Sequence, residues 1–400
     1  MLTNTASLER AATRSEEKIS EVRRAARASG PALQTMVTKH FVNRGLRLVA
    51  GTHSDGAMRR RQPSPCGLLI VFWFYLFGAS ATGTEVHSEF IFESAPFAQC
   101  HASTIVETAE GEFLAAWFGG EREGAKDVAI WMARCSKGKW SEPRVVARDA
   151  GVAAWNPVLF RGRDNRIWLF YKLGFSPKSW AGAYETSDDS GRTWTKTTRL
   201  PAGLLGPIKN KPIRLANGAI VAGTSVERFL DWTSWVERST DEGKTWTRYG
   251  PITIPEEAFG LIQPTLVELT PDHLRAFLRS RQGFIYRADS ENGGRTWGPA
   301  RPTSLPNPNS GIDCVRLDDG RILLVYNDST RERSPLSVVL SSDGGETWKT
   351  FVQLETGPGE FSYPAVIQSF NGDVHITYTW MRKRIKHAVI PKAVLKAGRK

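Results

Sequence analysis

Apolar runs of strand length along this chain are introduced by a recurring polar-proline phrase. Asn156-Pro157 precedes Val158-Leu159-Phe160 and Gln263-Pro264 precedes Thr265-Leu266-Val267, while Lys211-Pro212 and Tyr363-Pro364 open similar stretches. The prolines lie 55, 52 and 100 residues apart, the last gap being two periods, and His101 lies 56 residues before Pro157. Proline is tolerated at the first residue of a strand, where no ladder donor is needed, so each phrase reads as a strand start. The absent member of the series falls near Ser310 to Asp313, after Pro306-Asn307-Pro308-Asn309.

A second phrase keeps the same period. Ser-x-Asp-x-Gly-x-Thr-Trp occurs at Ser187 to Trp194, Ser239 to Trp246, Ser290 to Trp297 (with Asn292 for Asp) and Ser341 to Trp348, the serines 52, 51 and 51 residues apart. A worn copy runs from Ser136 to Trp140. Asp, Asn and Ser accept hydrogen bonds from nearby backbone N–H groups, and Gly takes positive φ without steric cost. Thr-Trp then suits the start of a strand. A fixed period of this size marks a stacked or radial repeat, of which propeller blades are the four-stranded case. The stretch from about Ser88 to Ile390 divides into close to six such periods. The expectation is an all-β fold: a six-bladed β-propeller over 88–395 with four-stranded antiparallel blades, the octets forming hairpin turns between outer strands. Equivalent positions of successive blades converge on one ring. His101, Asn156, Lys211, Gln263, Asp313 (or Ser310) and Tyr363 are therefore expected near one mouth of the central channel. A ring of unlike polar groups suits a binding site and not a packed core.

Composition adds less. A hydrophobic fraction of 40% and 14 Trp are ample for packing blades together. The net charge of +12 is concentrated upstream, where residues 1–81 hold twelve Lys/Arg against five Asp/Glu. With no basic stripe or zinc spacing in the rest, neither nucleic acid nor a bound metal is expected. Residues 1–57 read as a non-native or disordered extension. Met58 starts a leader-like text: Arg59-Arg60-Arg61, the apolar run Leu68 to Phe77, then Gly78-Ala79-Ser80-Ala81. That is the layout of a signal peptide over 58–81, and the run is shorter than the ~20 residues a membrane span needs. The alternative is an uncleaved anchor behind a cytoplasmic tail. Either way the remainder is expected to be exported, periplasmic or secreted. Cys100, Cys135 and Cys314 remain after the leader, which allows at most one disulfide.

The octets resemble the Asp-boxes of sialidase-type β-propellers, and the resemblance covers about Phe97 to Val389. In that family three arginines clamp a substrate carboxylate, an aspartate is the general acid, and a tyrosine paired with a glutamate is the nucleophile. The resemblance gives Asp127, in the loop Glu121 to Asp127, the acid role. Arg281 and Arg333 resemble clamp arginines and Tyr363 the nucleophile. It departs at two positions: His101 stands where the first arginine is expected and Gln263 where the glutamate is, leaving Glu227 or Glu360 as substitutes. The implied activity is that of an exported exo-α-sialidase-type hydrolase acting on an acidic terminal sugar. Asp127, Tyr363 and His101 are then catalytic, and Arg281, Arg333, Lys211, Asn156, Gln263 and Asp313 contact the substrate, without a cofactor. Two alternatives stay open. One is a uronate-directed polysaccharide lyase using histidine and tyrosine, and the other is a non-catalytic glycan-binding propeller. Lys209 and Lys211 beside the axis could hold a carboxylate or hydroxyls, and Trp155, Trp180, Trp232 and Trp235 could stack on sugar rings.

Overall fold

The computed structural model describes residues 85–228, 232–255 and 260–397, and the expected leader and extension lie outside them. Its first strand, β1 (His87–Phe90), is used last, as the outer edge of the final sheet. Blade 1 holds β2 (Gln99–Ala109), β3 (Glu112–Gly120), β4 (Ala129–Ser136) and two short strands that both pair with β4, namely β5 (Lys139–Trp140) and β6 (Arg144–Ala147). Blade 2 is β7 (Ala153–Arg161), β8 (Ile167–Gly174), β9 (Ala181–Ser187) and β10 (Thr198–Arg199). Blade 3 is β11 (Ile213–Arg214), β12 (Ile220–Glu227), β13 (Trp232–Ser239) and β14 (Thr247–Ile252). Blade 4 is β15 (Leu261–Thr270), β16 (His273–Ser280), β17 (Phe284–Ser290) and β18 (Arg301–Pro306). Blade 5 is β19 (Asp313–Arg316), β20 (Ile322–Asn327), β21 (Leu336–Ser341) and β22 (Lys349–Glu355). Blade 6 is β23 (Phe361–Gln368), β24 (Val374–Trp380) and β25 (Arg384–Ile390), completed by β1 through pairs such as Glu89 opposite His387. Every pairing is antiparallel, so this is the six-bladed propeller expected from the period. A short helix, α1 (Lys392–Ala397), follows the last strand.

The octets are the turns from the third to the fourth strand, and side chains build them. In the first full copy Ser187 Oγ accepts from Gly191 N at 2.7 Å and donates to Asp189, whose carboxylate accepts from the backbone of Arg192 and Thr193 and from the Thr193 hydroxyl. These donors hold the Asp189 carboxyl well below the usual carboxylate range. Asn292 reproduces the pattern with Oδ1 on Arg295 N and Thr296 N, and turns its amide donor onto Thr296 Oγ1 at 2.7 Å. Each turn also wedges against the blade before it. Gly345 of blade 5, at φ 92°, lies where a Cβ would meet Phe277 of blade 4 at 2.5 Å, so the octet glycine is required by contact as well as by conformation.

Large apolar side chains such as Trp117, Tyr171, Phe277 and Tyr378 are fully buried in the blades, each contributing on the order of 1.5–3 kcal/mol relative to exposure. Cys100, Cys135 and Cys314 are free thiols and buried; burial pushes Cys135 up to about 11 and Cys314 up to about 12.

Near the axis the structure is polar. The inner strands β2, β7, β15 and β23 each slip register two or three residues in, after His101, Trp155, Ile262 and Ser362. Within the slips Ala102, Asn156, Gln263 and Tyr363 take positive φ, 56°, 42°, 56° and 54°. Three of the four precede proline, a position that already disfavours helical backbone. Each such residue stores roughly 1–3 kcal/mol that surrounding contacts must hold. Below the slips, the carboxylate of Asp313 (1% exposed) accepts from Thr265 Oγ1 at 2.7 Å, Lys211 Nζ at 3.0 Å, Val366 N at 2.9 Å and Cys314 N at 2.9 Å. Lys209 Nζ bonds Asn210 Oδ1 at 2.8 Å, Ile312 O at 3.0 Å and Pro364 O. Together these groups close the channel.

Asp313→Ala removes the buried acceptor shared by the part-buried Lys211 ammonium, Thr265 Oγ1, Val366 N and Cys314 N, and is expected to cost about 2–4 kcal/mol. Urea unfolding followed by circular dichroism should show the midpoint falling accordingly, with a far smaller loss for an octet substitution such as Asp189→Ala.

Candidate active site

Beside this buried network polar side chains gather, as around the floor of a cup, around Tyr363. Its side chain is 9% exposed, and its phenol oxygen accepts from Arg279 Nη1 at 2.6 Å and from Gln263 Nε2 at 3.3 Å. Arg279 is itself 6% exposed at the end of β16 and also donates to Gln263 Oε1 at 3.2 Å and Asn309 Oδ1 at 2.8 Å. A buried arginine without such partners would be prohibitively costly. Gly311 lies against the phenol ring, where a Cβ would approach to 3.2 Å. Glu227, the last residue of β12, bonds Ser225 and Gln263; burial raises its pKa against the pull of Arg279.

A chain of charges forms one wall. Glu360 Oε1 accepts from Arg333 Nη1 at 2.8 Å, Arg382 Nε at 2.6 Å and Ser362 Oγ at 3.0 Å. Burial would raise the Glu360 pKa, but Arg382 and Arg333 outweigh it and hold the group ionised below the ordinary value. Arg382 Nη1 continues to Glu123 Oε2 at 2.5 Å, which pins the blade 1 loop carrying Asp127 to the blade 6 turn. Asp127 is exposed, and its Oδ2 accepts from Glu121 N at 2.7 Å across that loop. Trp155 supports the loop from beneath, in contact range of Gly124 and donating from Nε1 to Gly174 O at 2.8 Å.

His101 packs beside the phenol with ring centroids 4.1 Å apart and is 2% exposed. Its Nδ1 shares a hydrogen bond of 3.0 Å with Thr379 Oγ1, and Nε2 has no partner among the described residues. Burial, then the charges of Arg382, Arg333, Arg279 and Lys209, drive its pKa well below the ordinary histidine value, so the ring is neutral.

Of the ring expected from the sequence, His101, Gln263 and Tyr363 meet directly. Asn156 occupies the equivalent left-handed position of blade 2, 5% exposed. Lys211 and Asp313 instead bond each other in the channel closure. Arg333 lies 5.6 Å from the phenol centroid, whereas Arg281 is exposed and stacks 3.8 Å from the Trp232 centroid. Trp155 and Trp180 are buried packing residues, while Trp232 and Trp235 are half-buried. Two arginines were missed as functional groups. Arg279 had a signal, being one of two arginines in a strand whose other central residues, Leu274, Ala276, Phe277 and Leu278, are apolar. Arg382 had none locally: it sits in the β24–β25 turn at φ 58°, and its carbonyl accepts from Cys100 N at 2.8 Å. That contact places it next to His101, where the expected arginine is absent.

The BNR repeat-like domain family matches residues 111–376. No curated protein sequence matches this chain. Among solved structures, a protein of unknown function from Dyadobacter fermentans superposes with a TM-score of 0.65 at 17% identity, over 76% of this chain and 98% of that one. A Hadza microbial sialidase gives 0.62 at 19% identity, covering 75% and 66%. The intramolecular trans-sialidase of Ruminococcus gnavus gives 0.61 at 13%, covering 76% and 97%. At these identities the likeness is one of fold.

Because burial and four cations oppose its protonation, the His101 imidazole should stay neutral in the folded protein from pH 8 to pH 5. Histidine NMR resonances, with His101 identified by its loss in His101→Asn, should show no titration step for it across that range.

Proposed function

Since the chain belongs to the BNR repeat-like family of sialidase-type propellers, we propose that its cup is the active site of a glycoside hydrolase acting on an acidic terminal sugar. The observation that carries the reading is the phenol oxygen of Tyr363, held by N–H donors from Arg279 and Gln263. Donors aimed at an oxygen stabilise negative charge on it. A phenol is also a nucleophile that a substrate carboxylate does not repel.

In the proposed reaction the Tyr363 oxygen bonds to the anomeric carbon as the glycosidic C–O bond breaks, and Asp127 gives its proton to the departing oxygen. Gln263 cannot accept the phenolic proton, so Glu227, bonded to Gln263 and raised in pKa by burial, is the group assigned to receive it. Water then displaces the phenolate at the anomeric carbon, Asp127 takes the water's proton, and Glu227 returns its proton to the Tyr363 oxygen. Arg279, Arg333 and Arg382 outnumber Glu360 and Glu123 at the floor and wall, which favours an anionic substituent. Arg382 supplies the guanidinium that His101 does not. The leader-like text of residues 58–81 carries the further proposal that the enzyme works outside the cytoplasm.

The unpartnered Nε2 of His101 favours one second reading. A neutral imidazole beside a phenol can remove a proton α to a uronate carboxylate while Tyr363 protonates the leaving oxygen, giving β-elimination.

Incubation with a fluorogenic α-sialoside and a panel of uronate polysaccharides separates these readings. Hydrolysis is expected to release fluorophore, falling more than about a thousandfold in Tyr363→Phe and roughly 10²–10⁴-fold in Asp127→Asn. Near-normal rates in Tyr363→Phe would remove the nucleophile. An ultraviolet-absorbing unsaturated product from a uronate glycan would instead establish elimination, and saturable binding without product would leave a glycan-binding propeller.

A further inference from the structure

Beneath the cup lies a group that the proposed chemistry does not use. Lys209 is 2% exposed and has three hydrogen-bond acceptors for its three N–H bonds: Asn210 Oδ1, Ile312 O and Pro364 O. The last belongs to the peptide that follows Tyr363. A Cβ placed on Gly311, which lies against the phenol ring, would also meet Lys209 Cε at 3.4 Å, and Lys209 Nζ lies 5.9 Å from the ring centroid. The ammonium thus touches the backbone on both sides of the blade 5–blade 6 junction and underlies the ring between them.

We propose that Lys209 is a positioning residue for Tyr363: its ammonium holds the left-handed Tyr363-Pro364 turn in place, and loss of its proton releases that hold and switches the cup off. This rests on the reading of Tyr363 as the reacting group. The turn needs such a hold, because a bulky residue at φ 54° before proline is strained. A neutral amine keeps two N–H bonds and turns a lone pair toward a third acceptor, so one carbonyl or amide oxygen loses its donor and meets repulsion instead. The proton leaves to solvent, and no other bond changes.

The groups facing the ammonium place this step in a usable range. Burial brings Lys209 down to about 7; Asp313 opposes the shift, while Lys211 and Arg279 add to it. Cys314 also faces it but is pushed up to about 12, and His101 is already neutral. The signs for stability and activity are opposite. The folded value lies below the ordinary ~10.4 for lysine, so the folded state sheds the proton first and global stability rises with pH from about 7 upward. Activity, which needs the proton, falls over the same interval, by about tenfold between pH 6 and pH 8 for a single ionisation. A structural role alone would move both in the same direction.

The test uses protein labelled with tyrosine 13Cζ, with Tyr363 identified by the resonance lost in Tyr363→Phe. Between pH 5 and pH 9 the wild-type Tyr363 signal is expected to shift with an inflection near 7, and Lys209→Met should abolish it. Lys172, the other buried lysine brought down to about 7, bonds Pro207 O and faces Glu237 and Glu227; Lys172→Met should leave the inflection in place. Asn210→Asp, which puts a carboxylate against the ammonium, should move the inflection upward by at least about one pH unit and serves if Lys209→Met does not fold. A flat wild-type signal, or an inflection that survives Lys209→Met, would overturn the proposal. If the inflection behaves as expected and no glycan is turned over, Lys209 positions Tyr363 but the nucleophile reading falls.

Discussion

The carboxylate of Asp313 is the point on which this propeller depends. Through Thr265, Lys211, Val366 N and Cys314 N it bonds blades 4, 3, 6 and its own blade 5 with a single group. Inner strands that splay around an axis leave backbone donors and acceptors that no neighbouring strand can reach, and these require partners. An apolar plug would fill the space and leave them unmet. Lysines on the axis reach across it: Lys209 meets carbonyls of blades 5 and 6, and Lys211 meets Cys314 O at 2.8 Å. A buried ionic network of this kind is weak evidence for stability in itself, because desolvation offsets most of the attraction. What it provides is a floor.

The floor determines the cup. Tyr363 of blade 6 and Gln263 of blade 4 stand at equivalent inner-strand irregularities, and both precede a proline in a turn tied into the network, at Pro364 O through Lys209 and at Gln263 O through Asn210 Nδ2 at 2.9 Å. The strained residues therefore sit where the fold can hold them most firmly, and their side chains converge because the blades do. Loops and turns then add groups from above: the Glu121–Asp127 loop of blade 1 is fastened to the blade 6 turn by Glu123 and Arg382. Blade 6 is itself completed by β1, so the groups bonded across the blade 1–blade 6 junction belong to the two ends of the described chain.

The fold was legible because its signals are local. An octet such as Ser187 to Trp194 bonds within itself, so its residue types disclose the turn, and its recurrence discloses the blade. The polar-proline phrase was legible for the same reason, and it led to Asn156, Gln263 and Tyr363. It misplaced Lys211 and Asp313 because the period fixes where a backbone lies and not which way a long side chain runs along the axis. Blades 3 and 5 also depart from the others: β11 has two residues and begins after Lys211, and β19 begins at Asp313 itself. The resemblance pointed to Arg281, whereas Arg279, two residues earlier and buried, is the one that bonds the phenol. Arg382 comes beside His101 only through closure of the ring, by a hydrogen bond between its carbonyl and Cys100 N, residues 282 positions apart that no spacing along the chain brings together.

The two departures from the sialidase pattern are best understood together. The resemblance implies a cation where His101 stands and an anion where Gln263 stands. His101 is neutral and Gln263 is uncharged, so the exchanges cancel in net charge while removing both an ion from the wall and a proton acceptor from the phenol. Arg382, whose backbone carbonyl accepts from Cys100 N, brings a guanidinium beside the first position. At the second, Glu227 restores a carboxyl one residue further out, with the Gln263 amide between it and the phenol. On the proposed reading the proton acceptor stands away from the phenol, and N–H donors of Arg279 and Gln263 take its place. Such a site stabilises a phenolate more strongly than it assists in forming one, which makes the charge beneath the ring, on Lys209, matter more here than it would beside a glutamate.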